Sequence, residues 1–419
     1  MALVPVHGGL SAPVDRFLRF SQKAALLAES AGMARIAVTD ADLSVVYRIA
    51  DGTLSPLTGF MDEATFNHVL DEKNVVRNGV KYAWTIPMAL PVTEAEAAAL
   101  RPGKSAALVN SAGEVFGTIA VSSVFGWDKQ RYVEKVYGTS RLDHPGAAIA
   151  TDDARSTLVG GEISVLPAAR NLEYGDLLLS PGATRQMIAD RKFEAALAFQ
   201  TRNPLHRAHE YALVYGVEQL TRSGLYAGVV LNPLVGQLKS DDVDASTRVR
   251  TYRMLRDRRL LGQGDSDRDL WDKVGYDLND VFDLVCLDMK MFYGGPSEAV
   301  MHAIYRQNHG FSHIVIGRKH ADAPYFDKSA IWGDFDAQTI FEALPGELHT
   351  RPVKVGFAAF YESVDRVDLM ENHPGAKPYS ISGTIMREQL LAGERPDARI
   401  IRGDVADVLI AAYKAKAGQ

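Results

Sequence analysis

At 419 residues the chain exceeds the usual size of one domain, so two or three are expected. Its 47% apolar and 23% charged residues fit a soluble globular protein, and a net charge of -6 argues against non-specific binding to nucleic acid or an anionic membrane, since both need a basic surface. A single cysteine, Cys286, excludes an intrachain disulfide and a Cys-rich zinc site, and fits a reducing compartment.

The N-terminal stretch MALVPVHGGLSAPVDRF lacks the basic start and apolar core of a signal peptide. No run approaches the ~18 to 20 apolar residues that cross a bilayer, so a cytoplasmic protein is expected. Residues 1–185 carry short β-like runs punctuated by Gly and Pro, at 35–38, 106–108, 115–121 and 163–166. Helical stretches at 62–70 and 93–100 interrupt them, which predicts a mixed or mainly β domain. From 186 to 345 strand and helix alternate. Strands are predicted at 192–199, 226–231, 282–287 and 313–316, and helices at 204–221, 247–256 and 296–308. Alternation of this kind predicts a parallel α/β sheet with crossover helices, whose ligands sit beyond the carboxyl ends of the strands. A smaller unit, 346–419, adds a strand at 353–357 and helices at 385–391 and 404–414.

The chemistry concentrates in QTRNPLHRAHE, residues 200–210. Pro204 suits a first helical turn, where its missing N–H would be unpaired anyway. His206 and His209, three apart, then share one face near the helix N-terminus. Unpaired N–H groups and the helix dipole favour an anion there. Arg202 and Arg207 add positive charge, and a guanidinium can grip a tetrahedral oxyanion through two parallel hydrogen bonds. A polyanion above a strand–helix junction is the expectation. Two other readings stay open for the histidines alone. Such pairs are often incidental or bound to nearby carboxylates, and a metal site would need a third ligand that no Cys or Asp cluster offers. The zinc-protease pattern is not met, because its histidines are four apart with Glu after the first.

QTRNPLHRAHE resembles the signature of the ATP sulfurylase (sulfate adenylyltransferase) family, within the HxxH nucleotidyltransferase group. Further segments resemble that family in the same order: DGTLSPLTGFM at 51–61, NPLVGQLKSDDV at 232–243, residues 293–302, and the element with Ser382-Gly383-Thr384 and Arg387 at 380–387. The resemblance spans roughly 30 to 400. It implies a PUA-like, mainly β N-terminal domain (1–185), a nucleotidyltransferase-type parallel α/β catalytic domain (186–345) and a small C-terminal α/β subdomain (346–419). An appended adenylylsulfate kinase domain is not expected, since the chain is short and has no GxxxxGK phosphate loop.

The implied reaction converts MgATP and sulfate to adenosine 5′-phosphosulfate and pyrophosphate, or the reverse, by direct attack on the α-phosphorus. By resemblance Gln200 and Arg202 hold sulfate, Thr201 and Asn203 contact the reacting phosphate region, and His206 and His209 stabilise the transition state. The second half of the site is GRKHA, 317–321: Gly317 lets backbone approach a ligand, Arg318 and His320 meet phosphate or ribose, and the Ala321 N–H meets sulfate. The family pattern reads Gly-Arg-Asp-His-Ala-Gly, so Lys319 and Asp322 depart from it. Lys319 is either an exposed variant without a role or an added charge that tunes nucleotide affinity or direction. Asp242, Arg248 and Arg250 are expected to anchor the 232–243 loop by ion pairing, with Lys239 reaching toward anionic ligand. Residues 357–360, Phe360 included, align with a segment beside the nucleotide. Mg²⁺ is expected to arrive with ATP, and structural zinc, nucleic-acid partners and membrane attachment are not expected. A homo-oligomer is implied. The rivals are an HxxH enzyme with another acceptor and a non-catalytic descendant that binds nucleotide or RNA.

Overall fold

Two sheets with separate apolar cores organise the chain, of which the computed structural model describes residues 3–236, 243–381 and 383–417. In chain order the first part comprises α1 (Lys23–Ser30), β1 (Ala34–Ala37), α2 (Asp40–Ala50), β2 (Gly59–Phe60), α3 (Glu63–Glu72), β3 (Asn74–Arg77) and β4 (Val80–Ala83). It continues with β5 (Leu90–Val92), α4 (Glu94–Ala99), β6 (Ser105–Val109), β7 (Val115–Gly126), α5 (Lys129–Tyr137), α6 (Pro145–Thr151) and β8 (Thr157–Val165). Six strands form one sheet in the order β1-β6-β7-β8-β2, with β5 also on β8, and β1–β6 is its parallel pair. The four strands predicted here fall in β1, β6, β7 and β8, and the two predicted helices are α3 and α4.

Helices α1, α2, α5 and α6 were not expected from the local pattern. In α2 the run Leu-Ser-Val-Val-Tyr-Arg-Ile is rich in β-branched residues, which suggests a strand. The chain is helical because Thr39 caps it, accepting the Asp42 N–H at 3.2 Å, and Val45, Val46 and Ile49 share one buried face. Tertiary packing overrides propensity there.

The second part comprises α7 (Pro181–Asp190), β9 (Ala195–Thr201), α8 (Arg207–Arg222), β10 (Ala227–Pro233), α9 (Ala245–Asp257), α10 (Arg268–Val274), β11 (Phe282–Leu284) and α11 (Gly295–Asn308). After these come β12 (His313–Ile316), α12 (Asp336–Thr339), β13 (Arg351–Lys354), the antiparallel pair β14 (Ala358–Tyr361) and β15 (Arg366–Leu369), α13 (Gly383–Leu391) and α14 (Gly403–Ala417). The five-stranded sheet runs β11-β10-β9-β12-β13, and every neighbouring pair is parallel. From β9 the chain winds outward to β11, then returns to place β12 on the other side of β9. That reversal opens a crevice at the carboxyl ends of β9 and β12. The strand expected at 353–357 begins two residues earlier, as β13, and closes the edge of this sheet. Among the described residues no helix is long and apolar enough to cross a membrane.

The two parts share a polar seam and an apolar one. Val300, Met301, Ile304 and Tyr305 of α11 join the first core beside Trp84 and Ile86. At the end of α11 the Asn308 amide donates to the carbonyls of Thr53 and Ser55, at 2.9 and 3.0 Å, and the Thr53 hydroxyl lies 3.1 Å from the His309 ring. The DGTLSPLTGFM segment is therefore the dock between the two sheets. Its Gly59 pairs with β8 so closely that a Cβ would sit 1.9 Å from the Gly161 carbonyl oxygen. Gly59→Ala is expected to cost about 1 to 3 kcal/mol through backbone displacement, read as a lowered urea midpoint with unchanged slope.

Candidate active site

Strand β9 pairs with β10 from Ala195 through Thr201, whereas its pairing with β12 ends at Ala198↔Ile314. Past Ala198 the two strands part, and Gln200 and Thr201 border the gap. The chain then turns. The Thr201 hydroxyl bonds both the Asn203 carbonyl (3.0 Å) and the Asn203 N–H (3.2 Å), and the Tyr252 hydroxyl donates to the same carbonyl at 2.8 Å. Helix α8 consequently begins at Arg207 and not at Pro204. The Asn203 carbonyl is taken by Tyr252, and the Arg207 N–H donates to the Ile400 carbonyl at 2.8 Å, so no helical turn closes over Pro204.

His206 is the cap of α8: its Nδ1 accepts the His209 N–H at 3.3 Å, which leaves the proton on Nε2. The two rings stack at 3.7 Å between centroids, tilted by 24°. Burial lowers His206 to about 4, and burial followed by its neighbour lowers His209 to about 3. Both rings are neutral near pH 7 and act as hydrogen-bonding groups without adding charge. His209 Nδ1 and Gln200 Oε1 are buried without partners in the protein.

The cations of this segment divide. Arg207, expected to meet the ligand, is bound along one guanidinium edge by Asp265, its Nε and Nη2 donating at 2.8 and 2.5 Å, and its charge is spent there. Glu210 is held likewise by Arg402, at 2.8 and 2.6 Å. Arg202 meets an aromatic partner, donating to the Tyr293 hydroxyl at 3.2 Å and lying 5.6 Å from that ring's centre. Arg248 does anchor the turn, but through carbonyls and not ion pairs: it donates to Val243, Arg202 and Leu234, at 2.8, 3.0 and 2.6 Å. A buried guanidinium has five donors to satisfy, and the turn supplies the carbonyls. Arg250 donates to the Thr247 hydroxyl at 2.8 Å. Lys239, Asp242 and Ser382 lie outside the described residues.

Across the gap, β12 is followed by Gly317, where a Cβ would meet nothing within 4 Å. Arg318 pairs with Asp334 at 2.8 Å and approaches the Phe357 ring at 5.8 Å. Lys319 adopts a left-handed φ of 51° and points to the same carboxylate at 3.7 Å, on the surface. The Ala321 carbonyl accepts the Gly295 N–H at 3.1 Å, tying this turn to the start of α11.

Behind His320 runs a buried chain that local sequence did not reveal. His320 Nε2 lies 2.9 Å from His302 Nδ1, and His302 Nε2 lies 3.3 Å from Glu298 Oε1. Burial raises Glu298 to about 7, against the pull of N–H donors from Phe292 and Gly294 at 2.9 and 3.0 Å. The His302 and His320 rings share one hydrogen bond, while His302 Nε2 stays buried near Glu298 without forming a hydrogen bond to it. The signal in the sequence was the four-residue spacing of Glu298 and His302 on the helix predicted at 296–308.

Two joined cavities result. The larger, about 530 Å³, is lined by Gln200, His206, His209, Gly317, Arg318 and His320 on one side and by apolar residues including Phe357, Phe360 and Met386 on the other. The smaller, about 220 Å³, is lined by Thr201, Arg202, Asn203, Lys319, Ala321 and Asp322. Gln200, His209 and His320 border both. The residues singled out around the two strand ends reach this pair of cavities, apart from Pro204 and Arg207. Among the described residues no three His, Cys, Asp or Glu side chains are grouped to hold a metal ion.

A doubly wound parallel sheet with an HxxH pair at its reversal point defines the molecule as a nucleotidyltransferase. A family model described as ATP-sulfurylase matches residues 175–412, and one described as a PUA-like domain matches residues 4–168. The chain belongs to the ATP-sulfurylase family. It is 52% identical over 415 residues to a sulfate adenylyltransferase of Pyropia yezoensis, covering 98% of this chain and 97% of that protein. A sulfate adenylyltransferase of Nostoc punctiforme is 33% identical over 416 residues, covering 99% and 97%. A solved structure of a hexameric APS kinase from Thiobacillus denitrificans superposes with a TM-score of 0.69 at 19% identity, covering 97% of this chain and 68% of that one, and bears on the fold alone.

The buried histidines give the protein an acid-labile site. His206 and His209 stand at about 4 and about 3 when folded against 6.5 when exposed. The unfolded chain therefore binds more protons below pH 6.5, and stability falls as pH drops from about 6.5 toward 4. Each ring contributes at most about 1.4 kcal/mol per pH unit in that window. Urea unfolding at pH 7 and pH 5 measures the loss, and His209→Asn is expected to reduce it.

Proposed function

We propose that the chain transfers an adenylyl group between ATP and sulfate, giving adenosine 5′-phosphosulfate and pyrophosphate, and runs the reverse reaction at the same site. The observation that carries this reading is the meeting of a nucleoside-sized, apolar-walled cavity with a small polar one at Gln200, His209 and His320. A nucleotide laid across that junction puts its α-phosphate beside the stacked histidines and a tetrahedral anion beside Arg202.

In this reading the adenosine occupies the larger cavity against Phe357, Phe360 and Met386, with Gly317, Arg318 and His320 along the ribose and phosphates. Sulfate is held by Gln200, Arg202 and the Ala321 N–H. Thr201 and Asn203 border the reacting phosphate, and His206 and His209 donate hydrogen bonds to its oxygens as charge builds there. Sulfate is fully ionised at neutral pH, so its oxygen attacks the α-phosphorus without a base. The bond to the bridging oxygen of pyrophosphate breaks, and that electron pair leaves with pyrophosphate. Positioning and fixed dipoles carry the catalysis. Neutral histidines suit this role, since they donate without adding a charge that the leaving group would have to abandon.

Mg²⁺ is proposed to enter on the ATP phosphates, where it neutralises part of their charge. We further propose a division at residues 1–185, 186–345 and 346–419, a cytoplasmic location and a homo-oligomeric state.

Exchange of labelled pyrophosphate into ATP tests the assignment. Exchange that requires sulfate supports it, exchange that requires a different acceptor would point to another HxxH transferase, and no exchange under any condition would leave a binding protein. His206→Ala and His209→Ala are each expected to lower turnover at least about a hundredfold, the usual loss for one transition-state donor, in protein that is still folded at pH 7. Near-normal turnover in either variant would sink the histidine roles.

A further inference from the structure

The anion-sized cavity is lined by Arg202 and Lys319 and also by a carboxylate, Asp322. One oxygen of that carboxylate, Oδ1, is buried without a hydrogen-bond partner in the protein. The cation nearest in sequence, Lys319, leans toward Asp334 at 3.7 Å on the outer side of the turn. The Asp322 N–H donates to the Lys319 carbonyl at 3.2 Å, which holds the turn closed and keeps the side chain at the cavity. A carboxylate with one oxygen left unpaired, at the wall of a site for anions, is costly unless it acts on the ligand.

What it does depends on the charge of that ligand. Resting on the adenylyl transfer proposed above, the anion exists in two forms. Free sulfate carries two negative charges. Once an oxygen has bonded to the α-phosphorus, the sulfuryl end of adenosine 5′-phosphosulfate keeps one. Repulsion from a fixed carboxylate scales with ligand charge, so it is about twice as strong for free sulfate as for the sulfuryl end at equal distance. Resemblance to the family pattern puts glycine, with no charge, at this position.

We propose that Asp322 is a specificity-determining residue that weakens the binding of free sulfate relative to adenosine 5′-phosphosulfate. No proton moves to or from Asp322 in the reaction. As the sulfate oxygen bonds to phosphorus, charge leaves the sulfuryl group and the repulsion relaxes. The bound ground state is therefore raised more than the transition state, and the effect falls on KM for sulfate more than on kcat.

The test is Asp322→Asn in the full chain, which removes the charge and keeps the shape, with Asp322→Gly as a second variant. Initial rates are measured in both directions, from MgATP with sulfate and from adenosine 5′-phosphosulfate with pyrophosphate. The expected result is a KM for sulfate lowered about fivefold and a KM for adenosine 5′-phosphosulfate lowered about twofold, the square root that a two-to-one repulsion energy gives. An unmoved KM for sulfate in both variants, or equal shifts for the two substrates, overturns the proposal while the transfer reaction stands. Wild-type protein without sulfate-dependent turnover would overturn the proposed function and this inference together.

Discussion

Strand β9 is hydrogen-bonded on both sides by parallel neighbours, but its two partnerships end at different places. Against β10 it is paired to its last residue, Thr201, while against β12 the ladder stops at Ala198. A strand whose pairing ends early on one side must satisfy its remaining polar groups otherwise. Here that edge of Gln200 and Thr201 faces a cavity, and the chain turns sharply under Tyr252 and Arg248. The opening between β9 and β12 follows from that unequal pairing, while Tyr252 and Ile400 fix the helix start at Arg207 and the cap bond holds His206 against His209.

Desolvation gives the opening its chemistry. His206, His209 and His320 are all pushed down by burial, so a polyanion site on an acidic protein is built largely from neutral donors. Fixed positive charge is sparse by arrangement. Arg207 and Arg402 are neutralised by Asp265 and Glu210, and Arg248 is consumed by three carbonyls. Arg202 remains at the wall beside an aromatic ring, while Arg318 and Lys319, also at the walls, share the Asp334 carboxylate. A cavity with few cations binds anions by geometry, and this makes one added carboxylate at Asp322 consequential.

Much of the fold was legible because it is written in short-range pattern. The predicted strands fall in β1, β6 to β13, and the helices named in advance all form. What escaped were helices such as α2, whose β-branched residues conceal a helical face, and the exact start of α8, where Pro204 suggested a turn that Tyr252 and Ile400 prevent. Lys319 stood out as the odd residue in GRKHA, yet at the cavity it leans toward an exposed aspartate, whereas the Asp322 carboxylate beside it keeps a buried oxygen unpaired.

The sequence by itself determined the residues of the site, since QTRNPLHRAHE and GRKHA are each continuous and each sits at a strand end. It pointed to the class of chemistry too, through the resemblance of those runs to the signature of a known family. Only the tertiary structure decided which charges are available. Asp265 lies 58 residues from Arg207, and Arg402 lies 192 residues from Glu210. Likewise Glu298 and His302 meet His320 only because α11 packs behind β12. Ion pairs and buried relays are selected by proximity in space, and in a parallel sheet the neighbours of a strand end come from distant parts of the chain.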